Sequence, residues 1–418
     1  MVEAMEEARA PAGGPPEGRR WLNRNVIGMG LTSLLSDAGH EMATAVLPGF
    51  LAAIGAPAAA LGLIEGVADA VSSFVKLSSG WYSDRIGHRK AIAVGGYFLT
   101  GVCKALFAFA WGWPLVLVGR TLAWFGRGVR GPLRDAMLAE SVPPDSRGKA
   151  FGFHRTGDTI GAIIGPLVAV VLLATLQHRG VASPSAPFRV IFWVTLIPGV
   201  SSALAFALFV TEKRRAPAHE LRFWAALQAL PTRFRRLLVG VGLFGMGDFA
   251  PTLLILGATQ LLTPAYGVVR AAQFAALFYT LRNVAYAAAS YPIGALSDRV
   301  GRRGLLVIGY LVAVVVAAGF AAAFAFSWRS LGYLLLLFVL AGLYIAAEDA
   351  LEGVMTADAT EAPTRGTAYG LLASVNGVGD FAASAMVGLL WTVVSPVVGF
   401  AYAAALMLAG AVVLHRVR

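Results

Sequence analysis

Long apolar runs follow one another along almost the whole of this 418-residue chain, and no other feature limits its fold as tightly. They lie at about 25–53, 60–83, 91–111, 113–138, 150–176 and 188–210, and again at about 237–262, 271–296, 304–326, 331–357, 366–391 and 395–414. Each is long enough to cross about 30 Å of hydrocarbon as a helix, the one open-ended structure that satisfies its own backbone there. With 57% apolar and 14% charged residues, against roughly 45–50% and 25% in soluble domains, a water-soluble globule is excluded. The expected fold is an all-α integral membrane protein, twelve transmembrane helices in two six-helix bundles.

The polar segments divide the chain. Residues 1–24, rich in Pro, Gly, Glu and Ala without the order of a signal peptide, read as a disordered cytoplasmic tail. The bundles take 25–210 and 237–414. A basic linker, 211–236, joins them, and 415–418 form a short cytoplasmic end. One set of loops holds Arg85, Arg89, Lys90, Arg147, Lys149, the linker arginines, Arg299, Arg302, Arg303, Arg365 and the C-terminus; the other holds only Arg179, Arg189, Arg270 and Arg329. By the positive-inside rule both termini are expected on the cytoplasmic side of the plasma (inner) membrane. The net charge of +11 is therefore topological, and nucleic acid is not expected as a partner. A single cysteine, Cys103, supports neither a disulfide nor a Cys-based metal site. No Walker loop occurs, and the Gly240-Val-Gly242-Leu-Phe-Gly245 match to a dinucleotide fingerprint opens an apolar run instead of following a strand. No cofactor or enzymatic activity is expected.

Internal repetition strengthens this division. Gly80-Trp-Tyr-Ser-Asp84-Arg85-Ile-Gly87-His-Arg89 returns 214 positions later as Gly294-Ala-Leu-Ser-Asp298-Arg299-Val-Gly301-Arg-Arg303, and Arg147-Gly148-Lys-Ala-Phe-Gly152 returns after 218 as Arg365-Gly366-Thr-Ala-Tyr-Gly370. Two parallel repeats about an axis along the membrane normal fit this spacing. The glycines suit close helix approach (Gly80, Gly294) and tight turns (Gly87, Gly301), and the aspartates suit helix N-termini or arginine partners.

The decapeptide Gly-x-x-x-Asp-Arg-x-Gly-x-Arg, present twice between the expected helix pairs, resembles the loop signature of the major facilitator superfamily. The resemblance implies a secondary transporter working by alternating access, whose two loops latch the cytoplasmic side through Asp84, Arg85, Arg89, Asp298, Arg299 and Arg303. Glu140 and its counterpart Asp358 are the expected partners. Gly161-Ala-Ile-Ile-Gly165-Pro166 resembles part of the Gly-Pro signature of facilitator antiporters, although Ala169 stands where that pattern continues with glycine; ordinary helix packing is the other reading. Arg120 lies where many such exporters carry an intramembrane arginine.

Charges inside apolar runs cost about 2.5–3.5 kcal/mol each even on a lenient scale, so they face a cavity or a partner. Asp37, His40 and Glu41 fall within one helical turn, and two carboxylates one turn apart cannot both hold charge cheaply, as a proton carrier requires. Asp248 takes the corresponding place in the second half. With Asp69 they form the proton-coupling set. The second helix adds Glu65 and Lys76. The fourth carries Arg120, Arg127, Arg130 and Arg134 within about 80° of one another; the first two are expected to meet an anionic ligand, the last two to be balanced by acids such as Asp135, Glu140 or Asp158. Glu348, Asp349 and Glu352 occupy matching positions in the tenth helix, so one half is basic where the other is acidic. His40, Glu65, Arg120, Arg127, Asp158, Arg282, Glu348, Glu352, Asn376 and Asp380 complete the expected substrate cavity.

The resulting expectation is a monomeric, proton-coupled carrier of a small polar or charged solute, leaning to export. Its rivals are a divalent-metal or organic-ion uptake carrier and, from another class, a non-transporting sensor or lipid scramblase.

Overall fold

In the computed structural model, the described residues are 21–86, 89–143, 146–178, 183–212, 231–360 and 365–416. Nearly all of the expected tail, and linker residues 213–230, lie outside them. The first half comprises α1 (Arg24–Ala53), α2 (Ala58–Ile86), α3 (Lys90–Ala105) with a 3-10 turn to Phe109, α4 (Trp113–Ser141), α5 (Arg147–His178), α6 (Ala186–Val194) and α7 (Leu196–Phe209). The second comprises α8 (Thr232–Gly245), α9 (Pro251–Tyr266), α10 (Val268–Val300), α11 (Arg302–Ala325), α12 (Leu331–Ala359), α13 (Arg365–Val393) and α14 (Pro396–Arg416).

Eight helical stretches among the described residues are long and apolar enough to cross a membrane: 58–76, 90–109, 149–177, 186–209, 302–325, 331–356, 368–393 and 396–416. The segments that fall short have a physical reason for it. α1 carries Asp37, His40 and Glu41, α4 its arginines and α10 Arg282 and Asn283, while α8 and α9 are individually short. The seventh apolar run, expected as one helix, breaks between them because Gly245 and Gly247 end α8 and Pro251 is preorganised to start the next helix. Two boundaries also move: α8 takes in the end of the expected linker, and α14 continues to Arg416.

Within the halves, α1 packs on α5 and α7, α2 on α4, α10 on α12, and α11 on α12 and α14. The α1–α5 contact is close. A Cβ at Gly157, Gly161 or Gly165 would stand 2.5, 2.4 or 2.3 Å from the carbonyl oxygens of Gly30, Leu34 and Ala38. The glycines of the Gly-Pro stretch are thus accounted for by packing.

Two seams join the halves, α2 with α13 and α5 with α10. We call the end of the molecule holding residues 24 and 416 the terminal end, and the opposite one the far end. At the far end the Ala59 amide donates to Thr392 Oγ1 (2.8 Å), and a Cβ at Gly62 would meet Ser384 O at 2.1 Å. Gln273 donates to Val170 O (3.4 Å) and Asn283 to Ala162 O (3.0 Å). The inter-half bonds then reach Arg155–Tyr286, nearer the terminal end.

Candidate functional site

A cavity of about 310 Å³ opens between the halves, and Glu41, Asp69, Lys76, Arg127, Tyr279 and Asp380 are among the side chains that line it. Next to it, about 220 Å³ is enclosed by residues including Asp37, Arg127, Asp158, Arg282, Tyr286 and Asp349. Both are walled by charged and hydroxyl-bearing side chains from α1, α4 and α10, helices too polar to register as apolar spans.

The first-half wall is built around Trp124, one helical turn from Arg120 and from Arg127. The Arg120 guanidinium lies 3.8 Å from the centre of its ring and the His40 imidazole 4.4 Å, while its indole N–H donates to Asp69 Oδ1 at 2.6 Å. Arg120 reaches Glu65 Oε2 through Nη2 (2.8 Å) and Nε (3.2 Å), and Thr44 through Nη1 (3.1 Å). Arg120 and Glu65 are each only 2% exposed. This corrects the expectation that Arg120 awaits an anionic ligand, because Glu65 already neutralises it.

Arg127 is differently placed. Its side chain keeps 34% of its surface exposed, with Asp37 Oδ1 no closer than 3.9 Å. Arg130 lies over the Tyr97 ring at 4.0 Å, and Arg134 pairs with Asp135 at 2.8 Å. His154 stands 3.4 Å from Asp158 and 2.9 Å from Ser33 Oγ.

Across the interface, Tyr279 OH donates to Glu41 Oε2 at 2.7 Å, joining α10 to α1 at the cavity wall. Seven residues on, two turns along α10, Tyr286 donates to Asp349 Oδ2 (2.7 Å) and accepts from Arg155 (2.5 Å), which reaches Asp349 at 3.6 Å. Glu41 also has His40 Nε2 at 3.9 Å.

Asp248, Glu348, Glu352 and Asn376 line neither cavity; they lie within the second half. Tyr344 donates to Asp248 (3.1 Å), and Glu352 accepts from Tyr310 (2.5 Å) and Asn376 (2.8 Å). This corrects the idea that Asp248 answers Asp37 across a shared cavity: its place in the break between α8 and α9 turns it toward α12, and Asp380 supplies the second-half acid to the cavity wall. Arg282 is buried beside Asn283 Oδ1 (3.0 Å).

Of the latch residues, the side chains of Asp84, Arg85 and Asp298, the surroundings of Gly80 and all of Gly87 lie outside the described residues. Arg89 holds Glu140 at 2.7 Å, and Asp358 is held by Arg302, the neighbour of the expected Arg303. Each of these ties lies within one half. Gly301 has φ +95°, as its turn requires. Gly294 is corrected: a Cβ there would meet nothing within 4 Å, so no close helix approach rests on it. Arg299 closes α10 in its last turn.

Sequence reasoning passed over Trp124, Thr44 and the roles of Tyr279 and Tyr286. Trp124 sits on the arginine stripe itself. Tyr279 matches Glu65 under the 214-residue offset, a signal of divergence between the repeats. Among the described residues no three of His, Cys, Asp and Glu converge as metal ligands.

A helical protein with two seamed halves and a charged cavity between them has the architecture of a small-solute membrane transporter. The family model described as the Major Facilitator Superfamily matches residues 29–272 and 252–418. An uncharacterised MFS-type transporter of Methanocaldococcus jannaschii is 30% identical over 390 residues, covering 93% of this chain and 94% of its own. The 3-(3-hydroxy-phenyl)propionate transporter of Escherichia coli is 27% identical over 359 residues, covering 82% and 79%. A crystal structure of a nucleoside transporter (D323A mutant) shares the fold, with a TM-score of 0.77 at 12% identity over 94% of this chain and 99% of that one. The chain belongs to the Major Facilitator Superfamily and is a multi-pass membrane transporter of small solutes, not an enzyme.

Proposed function

We propose that the chain is a proton-coupled secondary carrier of a small, carboxylate-bearing polar solute, working as a monomer by alternating access. In this reading twelve spans divide at the linker, and both termini face the cytoplasm across the inner membrane. The observation that carries it is the Tyr279–Glu41 hydrogen bond. An ionised Glu41 accepts it and ties the halves together at the cavity; a protonated Glu41 loses much of that charge-assisted bond and frees them. Asp37, four residues back on α1, and Asp69, on α2 in the same half, are the acids that share this load. Charge state thereby biases an equilibrium between conformers, which is what coupling requires.

Arg127, half-open beside the cavity, is the anchor for the solute's carboxylate, and Lys76 and Asp380 bracket its polar remainder. The Escherichia coli relative's named solute, an aromatic propionate, supports a carboxylate-bearing cargo. Seam contacts concentrated toward the far end fit a state open at the terminal, cytoplasmic end.

The test is transport in proteoliposomes under an imposed pH gradient, with labelled 3-(3-hydroxyphenyl)propionate as the first probe and lumenal pH followed by a dye. Coupled movement of solute and protons is expected, lost in Asp37→Asn and Glu41→Gln while solute exchange continues. Outward movement shows as solute leaving while protons enter, and uptake as both moving together. Gradient-driven transport unchanged in both variants refutes the coupling role.

A further inference from the structure

A third cavity adjoins the two between the halves. It measures about 620 Å³ and lies between α5, α10 and the later part of α12, with nothing of α1, α2 or α4 in its lining. Arg155, Thr159, Tyr286 and Asp349 line both this space and the 220 Å³ cavity, so the two chambers meet at those four side chains. At the junction Arg155 donates to Tyr286 OH (2.5 Å), which donates to Asp349 Oδ2 (2.7 Å). This relay runs from one half to the other and closes the passage.

The chambers differ in chemistry. Asp37, Glu41, Arg127, Asp158 and Arg282 wall the inner one, whereas the outer one carries charge only at the junction. Thr156 and Ser290 spend their hydroxyls on carbonyls of their own helices (2.9 and 2.6 Å). Ile160 and Tyr291, 41% and 84% exposed, give the outer chamber an apolar mouth. Arg155 and Asp349 stand six and seven residues inside the apolar stretches 149–177 and 331–356, roughly 9–10 Å along the helix axes. Their side chains are nonetheless 63% and 50% exposed. Charges at such depth are costly unless water or a polar group reaches them. The outer chamber is therefore a place where a polar head can enter along apolar walls.

We propose that the outer chamber is an entry subsite for an amphipathic carboxylate, its apolar body against α5 and α10 and its carboxylate on Arg155, from which it displaces Asp349 before passing inward. This rests on the reading that the cargo bears a carboxylate. The volume falls in the ~300–1,000 Å³ range of ligand pockets, and a guanidinium takes a carboxylate through paired N–H bonds. Arg155 holds Asp349 only through Tyr286, its direct distance of 3.6 Å being beyond hydrogen-bond reach. An incoming carboxylate thus competes with a loosely held internal one. A neutral analogue offers Arg155 nothing in exchange and leaves the relay closed.

Thiol labelling of the purified full chain in nanodiscs tests this, with Cys103→Ser and a single new cysteine, Ala287→Cys, on the outer lining. Phenylpropionate is expected to protect that thiol from a neutral maleimide, and phenylpropanamide is not. Arg155→Gln should abolish the protection, and Asp349→Asn should strengthen it severalfold because the internal competitor is gone. Arg127→Gln, which removes the inner anchor, and Lys149→Gln, which removes a charge from α5 outside the lining, should leave it in place. A purely structural relay would move Arg155→Gln and Asp349→Asn the same way. Equal protection by acid and amide, no protection by either, protection intact in Arg155→Gln, weakening in Asp349→Asn, or loss in Arg127→Gln or Lys149→Gln as complete as in Arg155→Gln overturns the proposal. The readout needs neither transport nor a pH gradient, so it can fail while Glu41 keeps its coupling role, and coupling can fail while the protection persists.

Discussion

Replacing Glu65 by Gln should be one of the most destabilising single isosteric changes in the protein. The pair it breaks is buried on both sides, each partner 2% exposed, and two N–H groups of Arg120 converge on one Glu65 oxygen at 2.8 and 3.2 Å. Removing one partner of such a pair leaves an uncompensated buried charge and costs roughly 3–5 kcal/mol. Thr44 and the face of Trp124 stay in place and offset part of this. The lower end applies: about 3 kcal/mol, a factor of roughly 150 in the unfolding equilibrium. The double variant Glu65→Leu/Arg120→Met, with no charge left to strand, should cost less than the single one. Equilibrium unfolding in mixed micelles over the full double-mutant cycle gives the coupling, expected at about 2 kcal/mol or more. A Glu65→Gln cost below about 1 kcal/mol, or strict additivity in the cycle, refutes the claim that Glu65 consumes Arg120.

Tyr279→Phe removes one bond to a charged acceptor, worth about 1.5–3 kcal/mol; distances between spin labels at positions 56 and 394, in a background lacking Cys103, should shift toward separation at the far end. Gly62→Ala forces a methyl within 2.1 Å of the Ser384 carbonyl, a rigid neighbour, so thiol labelling at the far end should rise because the α2–α13 seam no longer closes. Glu140→Gln breaks a pair whose acid is 22% exposed; its stability cost should stay near or below about 1 kcal/mol, and a loss above twice that would mean the latch ties bear more of the fold than their exposure implies.

The fold was legible because apolar length and a repeated loop are properties of single segments, each readable without its neighbours. α1, α4 and α10 carry charges at bilayer depth, and a charge there must be answered by something; the residues alone therefore pointed to a cavity. What they could not reveal was who answers whom. Arg120 and Arg127 lie on one stripe of one helix, yet the first is spent on Glu65 and the second remains partly open, because α2 sets a buried carboxylate against Arg120 whereas the acid nearest Arg127, Asp37, stands 3.9 Å away. Asp248 was misplaced for a related reason. Offset arithmetic assumes continuous helices, and the break at Gly245–Gly247 turns that carboxylate toward Tyr344. The tyrosines carry the clearest lesson. Tyr279 and Tyr286 look apolar enough to pass for core, and only the packing of α10 against α1 and α5 shows their hydroxyl groups meeting Glu41 and Arg155 across the interface, with Asp349 of their own half behind Tyr286. In a carrier with two moving halves, residues that bond across the seam control the equilibrium between states more directly than those that pair within a half. Ion pairs such as Arg120–Glu65 lie within one half and add to its rigidity, whereas the Tyr279–Glu41 bond spans the two halves, which is why the proposed coupling is placed on it.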